Sequence, residues 1–333
     1  RWFGFEHVFF AFDAPFVGNN QMVHHAITDI QEGQFHYTYD YASGTPPYVE
    51  NGFVLSLGVQ TAEGGDGNNI IHGEVDNYTL DLELNTVKAP VLQYGDGYEN
   101  FPQIGMYTYY YSRERMEAAG TLTIGGETLS VTGTAWFDHQ WGSLSPQSVE
   151  WDWFAIQLDD NREIMISILN GAGGPIIGGS FTDENCITTE IDPSDLTVTA
   201  LGSWESPYHP GQVYPMGWDI SIRNISRGGC MEDLNLTVIP VMEDQELTFD
   251  VFTTIYYWEG AAVVSGDAEG RAYIEMNPGF GCSTFGSGGG ISRGTFMVNW
   301  VIYLLPLVGL LSRRLLRKKG YVSSGVIEEP SQQ

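Results

Sequence analysis

Residues 121–131 read TLTIGGETLSV, and this short stretch decides the fold. Leu122 and Ile124 alternate with polar neighbours, Gly125-Gly126 follows, and Leu129 and Val131 alternate again. Two alternating runs around a two-residue glycine turn are the signature of an antiparallel hairpin. The same period of two recurs outward in both directions. It appears at Phe53, Leu55, Leu57 and Val59, and at Tyr78, Leu80, Leu82 and Leu84. Further on come Ile164, Ile166 and Ile168, then Trp218, Ile220 and Ile222, then Leu234, Leu236 and Val238. Turn-rich clusters such as Gly64-Gly65-Asp66-Gly67-Asn68 separate them, and no convincing amphipathic helix intervenes. The expectation is an all-β, antiparallel chain of barrels or sandwiches.

A chain of 333 residues has room for about two such units. The pattern breaks at Gly142-Ser143-Leu144-Ser145-Pro146, which sets the expected domains at 1–145 and 146–282. Acidic residues number 42 against 14 basic ones. Residues 1–290 carry 40 of the acids and only eight of the bases. So negative a body repels phosphate backbones, which argues against nucleic acid as a partner. The simplest account of the imbalance is solubility or adaptation to salt. Cys186, Cys230 and Cys282 are far apart and form no CxxC, so no zinc cluster is expected and no disulfide pairing can be assigned. No metal or cofactor motif occurs: HExxH and a phosphate-binding glycine loop are both missing from the sequence.

The C-terminal part differs in kind. Residues 283–294 are rich in glycine and serine and read as a linker. Residues 295–311, TFMVNWVIYLLPLVGLL, are uncharged and read as a short transmembrane helix. Arg313, Arg314, Arg317, Lys318 and Lys319 follow at once, so residues 312–333 are expected to be a basic cytoplasmic tail. The body would then lie outside the cell on a single-pass anchor. Its first residues, RWFGFEHVFF, read as a strand already under way, which suggests an export signal upstream.

Candidate chemistry concentrates at 135–153. Ala135-Trp136-Phe137-Asp138-His139-Gln140-Trp141-Gly142 is followed by Trp151-Asp152-Trp153-Phe154. In a strand, Trp136, Asp138 and Gln140 face one way, and Phe137, His139 and Trp141 the other. Asp138 and His139 among indoles are the candidate acid and base, because apolar walls move both groups toward neutral pKa. Aromatic faces could also stabilise a cationic intermediate. The plainer alternative is an aromatic staple between two domains. Tyr111 and Arg113, ending an aromatic run, and Trp258 and Glu259, at a strand end, are weaker candidates for ligand contact. Packing and a structural ion pair are their simpler explanations.

In combination the motifs GTAWFDHQWGS, WDWFAIQLDDNREIM, YPMGWDISI, YYWEGAAVVSG and GRAYIEM resemble the CrtC/AttH-like family. The front of the chain fits as well, in RWFGFEHVFF, MVHHAITDIQEGQFHYTYDYASG and YYYSRERM. The family contains carotenoid 1,2-hydratases, secreted hydrolase-like proteins and fungal Diels–Alderases. The resemblance implies two lipocalin-like β-barrels with an apolar pocket near their junction, and a strand preceding Arg1. It assigns His139 and Trp141 to the site. The acid that the hydratases carry on the next strand has no counterpart in Met165-Ile166-Ser167-Ile168-Leu169-Asn170. The expected activity is therefore binding of an apolar, isoprenoid- or polyene-like molecule, with hydration or cyclisation at a C=C bond. Asp138 or His139 would supply the proton, and Trp136, Trp141, Trp151 and Trp153 would enclose the ligand. A lipid-binding module without chemistry, or a structural subunit of a membrane complex, are the alternatives.

Overall fold

The computed structural model describes residues 1–14, 18–103, 105–143, 150–171, 174–250, 254–278 and 318–328. The first sheet contains β1 (Trp2–Ala14), β2 (Gly18–Asp29), β3 (Gln34–Ser43), β4 (Phe53–Leu57), β5 (Gln60–Gly65), β6 (Asn68–Val75), β7 (Tyr78–Thr86), β8 (Val91–Leu92), β9 (Tyr98–Phe101), β10 (Met106–Ile124) and β11 (Glu127–Ser143). The second contains β12 (Glu150–Leu158), β13 (Glu163–Gly171), β14 (Gly174–Thr182), β15 (Thr188–Glu190) and β16 (Leu196–Ala200). A small ribbon of β17 (Trp204–Glu205) and β18 (Val213–Tyr214) stands apart. The second sheet resumes with β19 (Trp218–Arg227), β20 (Cys230–Pro240), β21 (Glu246–Asp250), β22 (Thr254–Gly266) and β23 (Gly270–Asn277). Last in the chain, β24 (Lys318–Glu328) returns to the first sheet.

Every pairing among the described strands is antiparallel, and the Gly125-Gly126 hairpin joins β10 to β11 as its sequence requires. Both glycines have positive φ, 57° and 92°, the conformation of a primed hairpin turn that side chains resist. The first sheet runs β3-β2-β1-β24-β11-β10-β7-β6-β5-β4, and its two ends curl toward each other, almost closing a barrel. Alternate residues fill its interior: Phe3, Phe5 and Phe9 from β1, and Leu80, Leu82 and Leu84 from β7. The second sheet encloses its own core, with Phe154, Ile156, Ile164, Ile166 and Trp218 at its centre. The outer faces of the two sheets meet in a seam. At Gly4 a Cβ would sit 2.8 Å from that of Ala261, so β1 can approach β22 only because residue 4 has no side chain.

The C-terminus departs from expectation. The linker 283–294 and the membrane span expected at 295–311 lie outside the described residues. Among the described residues no helix is long and apolar enough to cross a membrane. Within the expected cytoplasmic tail, Lys318–Glu328 forms a strand inserted between β1 and β11. The five cations at 313–319 dominate a reading by charge, whereas Tyr321, Val322, Val326 and Ile327 are residue types that favour strands.

β24 is hydrogen-bonded on both sides, so its removal leaves two long unpaired strand edges. A chain ending at residue 317 should lose at least about 2 kcal/mol and melt roughly 4–8 °C lower. Calorimetry showing an unchanged Tm would mean that β24 does not hold the sheet closed.

Candidate functional site

The chemistry of the seam follows from strand parity. In the β10–β11 ladder, Ser112 pairs with Asp138 and Tyr111 with His139. Asp138 therefore points outward to the second sheet with Trp136, Ser112 and Tyr110. His139 points the other way, with Phe137 of the first core. Its ring lies 5.3 Å from Tyr111 and 4.6 Å from Trp141. The two residues expected to form one acid–base unit are thus on opposite faces of one strand. Only Asp138 lies in the seam.

Asp138 is 5% exposed. Its Oδ1 accepts from Ser112 Oγ at 2.5 Å and from Trp136 Nε1 at 2.9 Å. Around it the seam is aromatic. Trp136 meets Trp153 edge-on at 6.1 Å, and Trp153 Nε1 donates to Tyr110 Oη at 3.1 Å. Ala155 and Met165 complete the cluster, with Trp151 and Tyr94 at its border. Burial pushes the Asp138 carboxyl up to about 7, against the hydrogen bonds from Ser112 and Trp136 that favour its ionised form. A carboxyl in this state can hold or release a proton at neutral pH.

One irregularity in β10 extends the polar seam. A bulge between Arg113 and Met116 shifts the register against β11. It turns Glu114 and Arg115, neighbours in sequence, toward the same side. Glu114 is bonded by Gln93 and lies beside Ser180, and burial pushes it up to about 7. Arg115 crosses the seam, donating to Glu163 and, at 2.9 Å, to Leu158 O. Lys88 reaches the other oxygen of Glu163 at 2.6 Å and also the carbonyls of Asn161 and Asp183. Even between two cations, burial holds the Glu163 carboxyl above its ordinary range. A cleft of about 350 Å³ opens on this flank, lined by Val87, Lys88, Arg115, Glu117, Thr134, Asn161 and Cys186.

The remaining candidates scatter. Trp141 stacks on Tyr109 at 5.6 Å, on the face shared by His139 and Tyr111. Arg113 lies over Gly67 on that side. Trp258 belongs to the second core, where its Nε1 donates to Glu243 O at 2.6 Å, so it does not face the seam. Glu259, its neighbour, does face the seam and meets Glu6. Ser112, Tyr110, Glu114, Arg115, Lys88 and Glu6 are seam residues that motif reading passed over. Parity with Asp138 marks the first two, but nothing local marks the bulge. Among the described residues no group of three or more His, Cys, Asp or Glu side chains is placed to hold a metal ion.

Residues 1–279 match the AttH-like family. The chain belongs to the AttH-like family. Solved structures repeat its architecture. An AttH protein from Nitrosomonas europaea superposes with a TM-score of 0.65 at 21% identity, over 83% of this chain and 92% of that one. Kievitone hydratase from Nectria haematococca gives a TM-score of 0.66 at 19% identity, over 83% of this chain and 88% of that one. At such identities the likeness establishes the shared AttH-like fold. No curated protein sequence matches this chain.

The raised carboxyl pKa values carry a definite sign. Asp138 and Glu114 bind protons more tightly folded than unfolded, so their contribution to stability is full below about pH 4 and is lost as pH rises to about 7. Each contributes a slope of up to about 1.4 kcal/mol per pH unit in that window. Asp138→Asn should flatten the fall in stability between about pH 4 and 7, measured by urea unfolding. An unchanged slope would show that Asp138 is ionised in the folded protein.

Proposed function

We propose that this AttH-like protein binds an apolar, isoprenoid- or polyene-like molecule at the seam between its sheets and catalyses proton-initiated hydration or cyclisation of a C=C bond. The observation that carries this reading is the Asp138 carboxyl, buried among Trp136, Trp153 and Tyr110 with its pKa raised to about 7. In the proposed step the Asp138 O–H proton passes to one alkene carbon as the π pair forms the new C–H bond. The neighbouring carbon becomes cationic and is stabilised by the indole faces of Trp136 and Trp153. Water or a second π bond of the same molecule then captures it, and the Asp138 carboxylate takes back a proton from the added water, or from a carbon beside the new cation, which restores the acid. The hydratase with the same fold supports this reaction class. A simple carrier is the less favoured reading, because Phe3, Phe5, Phe9 and the leucines of β7 occupy the interior of the first sheet, where a lipocalin-type carrier keeps its ligand.

The test is retention of lipid from a membrane extract, identified by mass spectrometry, followed by turnover of the retained compound. Asp138→Asn should lower turnover by about 10²–10⁴-fold with retention intact. Trp153→Ala should weaken retention first, by about 1–3 kcal/mol. His139→Ala, on the opposite face, should change turnover by less than about tenfold, below the usual range for a lost acid or base. A large loss in His139→Ala with full activity in Asp138→Asn would reverse the assignment.

The apolar run at 295–311 and its following cations are the ground for proposing that the protein works at a membrane, body outside. β24 within the sheet and a tail across the membrane exclude each other in one molecule. A tag after Gln333 should therefore be accessible on the same side as the body wherever β24 is paired. Protection of the tag from protease added to intact cells, with the body digested, would favour the spanning tail.

A further inference from the structure

The seam contains a second polar centre that the Asp138 chemistry does not use. Glu6 on β1 and Glu259 on β22 approach from opposite sheets, 0% and 4% exposed, and hydrogen-bond each other. Two ionised carboxylates cannot make that bond, so one proton stays with the pair. Burial is the main cause: it pushes Glu6 up to about 8 and Glu259 well above its ordinary range, and Glu275 adds repulsion to both. The surrounding groups fix the pair rather than neutralise it. Tyr257 Oη donates to Glu6 Oε1 at 3.0 Å and accepts from His24 Nδ1–H at 2.6 Å. His24 is neutral, its pKa driven down to about 3 by burial. Arg271, the cation of β23, lies over the ring of Trp2 at 3.2 Å.

Two hydroxyls beside the pair are buried and without a hydrogen-bond partner, Tyr273 Oη and Ser324 Oγ. Tyr273, 3% exposed, stands two residues from Glu275 on the same face of β23, close enough for Glu259 and Glu6 to raise its pKa. Ser324, 0% exposed, is the cross-strand partner of Glu6 on one side and of Trp136 on the other. Folded proteins seldom leave such groups unsatisfied, and those that they do leave tend to mark the place of a polar guest.

We propose that Glu6, Glu259, Tyr273 and Ser324 form a hydroxyl-binding site that takes the alcohol end of an isoprenoid-type ligand. An alcohol both donates and accepts one hydrogen bond. The carboxyl pair, sharing a single proton, offers an acceptor oxygen, and Tyr273 offers a free O–H donor. A cation is the poorer fit, since the carboxyl groups are not arranged as metal ligands. Because Ser324 pairs with Trp136, whose indole also holds Asp138, the hydroxyl site and the acid flank one side chain. The proposal rests on the seam being the ligand site, and it deepens that reading by naming where the oxygen of an alcohol product sits.

Farnesol and farnesene share one carbon skeleton and differ by one water, a hydroxyl in the first against a further C=C bond in the second, so their binding, followed by tryptophan fluorescence, reports on the hydroxyl. The intact protein should hold farnesol about tenfold more tightly than farnesene, the discrimination expected of a hydrogen bond to a charged group. Tyr273→Phe and Glu259→Gln should reduce that ratio to about twofold or less and leave farnesene affinity unchanged. Tyr273→Phe removes one oxygen without altering shape, so it remains informative if Glu259→Gln does not fold. Equal affinity of the intact protein for the two compounds would overturn the hydroxyl site alone, as would a full preference surviving in Tyr273→Phe. Binding of neither compound would overturn the seam as an apolar ligand site and the hydroxyl site with it.

Discussion

A carboxylate taken out of water needs a cation, a set of donors, or a proton. This constraint governs the seam between the two sheets, because residues 1–290 contain only eight basic residues. Two of them, Lys88 and Arg115, meet on the single carboxylate of Glu163 and tie the units together. Asp138, Glu114, Glu6 and Glu259 have no such partners in their hydrogen-bond sets; burial raises the pKa of the first two to about 7, and the last two share a proton. A scarcity of cations that elsewhere serves solubility becomes, between the sheets, a way to hold acids in their neutral form at ordinary pH. The aromatic side chains beside them keep that environment dry.

The strands were legible because one face of each is buried, and a period of two survives in the residues as written. Leu80, Leu82 and Leu84 announce β7 without any knowledge of their neighbours. The position of Asp138 was also legible, since its parity with Trp136 follows from β geometry alone. What the sequence concealed has two causes. The first is that strand parity sets His139 opposite Asp138 but does not tell which of the two faces meets the second sheet. The second is that seam partners come from afar: Glu6 and Glu259 are brought together by pairing order, not by any motif. β24 was hidden for a different reason, because its cations outweighed its modest β-forming side chains.

The shared fold narrows the chemistry without choosing it. Two sheets and a seam do not by themselves name an activity, which has to be argued from the side chains placed there. Here the strand after the Trp151–Trp153 pair carries Met165 and Ser167 toward the seam, and the acids buried there include Asp138 and the Glu6–Glu259 pair.

The late strand has a bearing on how the molecule is made. During synthesis the first sheet emerges early, yet the strand that lies between β1 and β11 is formed by residues 318–328. The second sheet is complete by Asn277 and can fold while its predecessor still waits for a partner. Assembly thus finishes in the half of the protein that appears first, through contacts separated by some three hundred residues, the kind of long-range closure that slows folding. Until then the edges of β1 and β11 stand open on a nascent chain and can pair with the wrong strand.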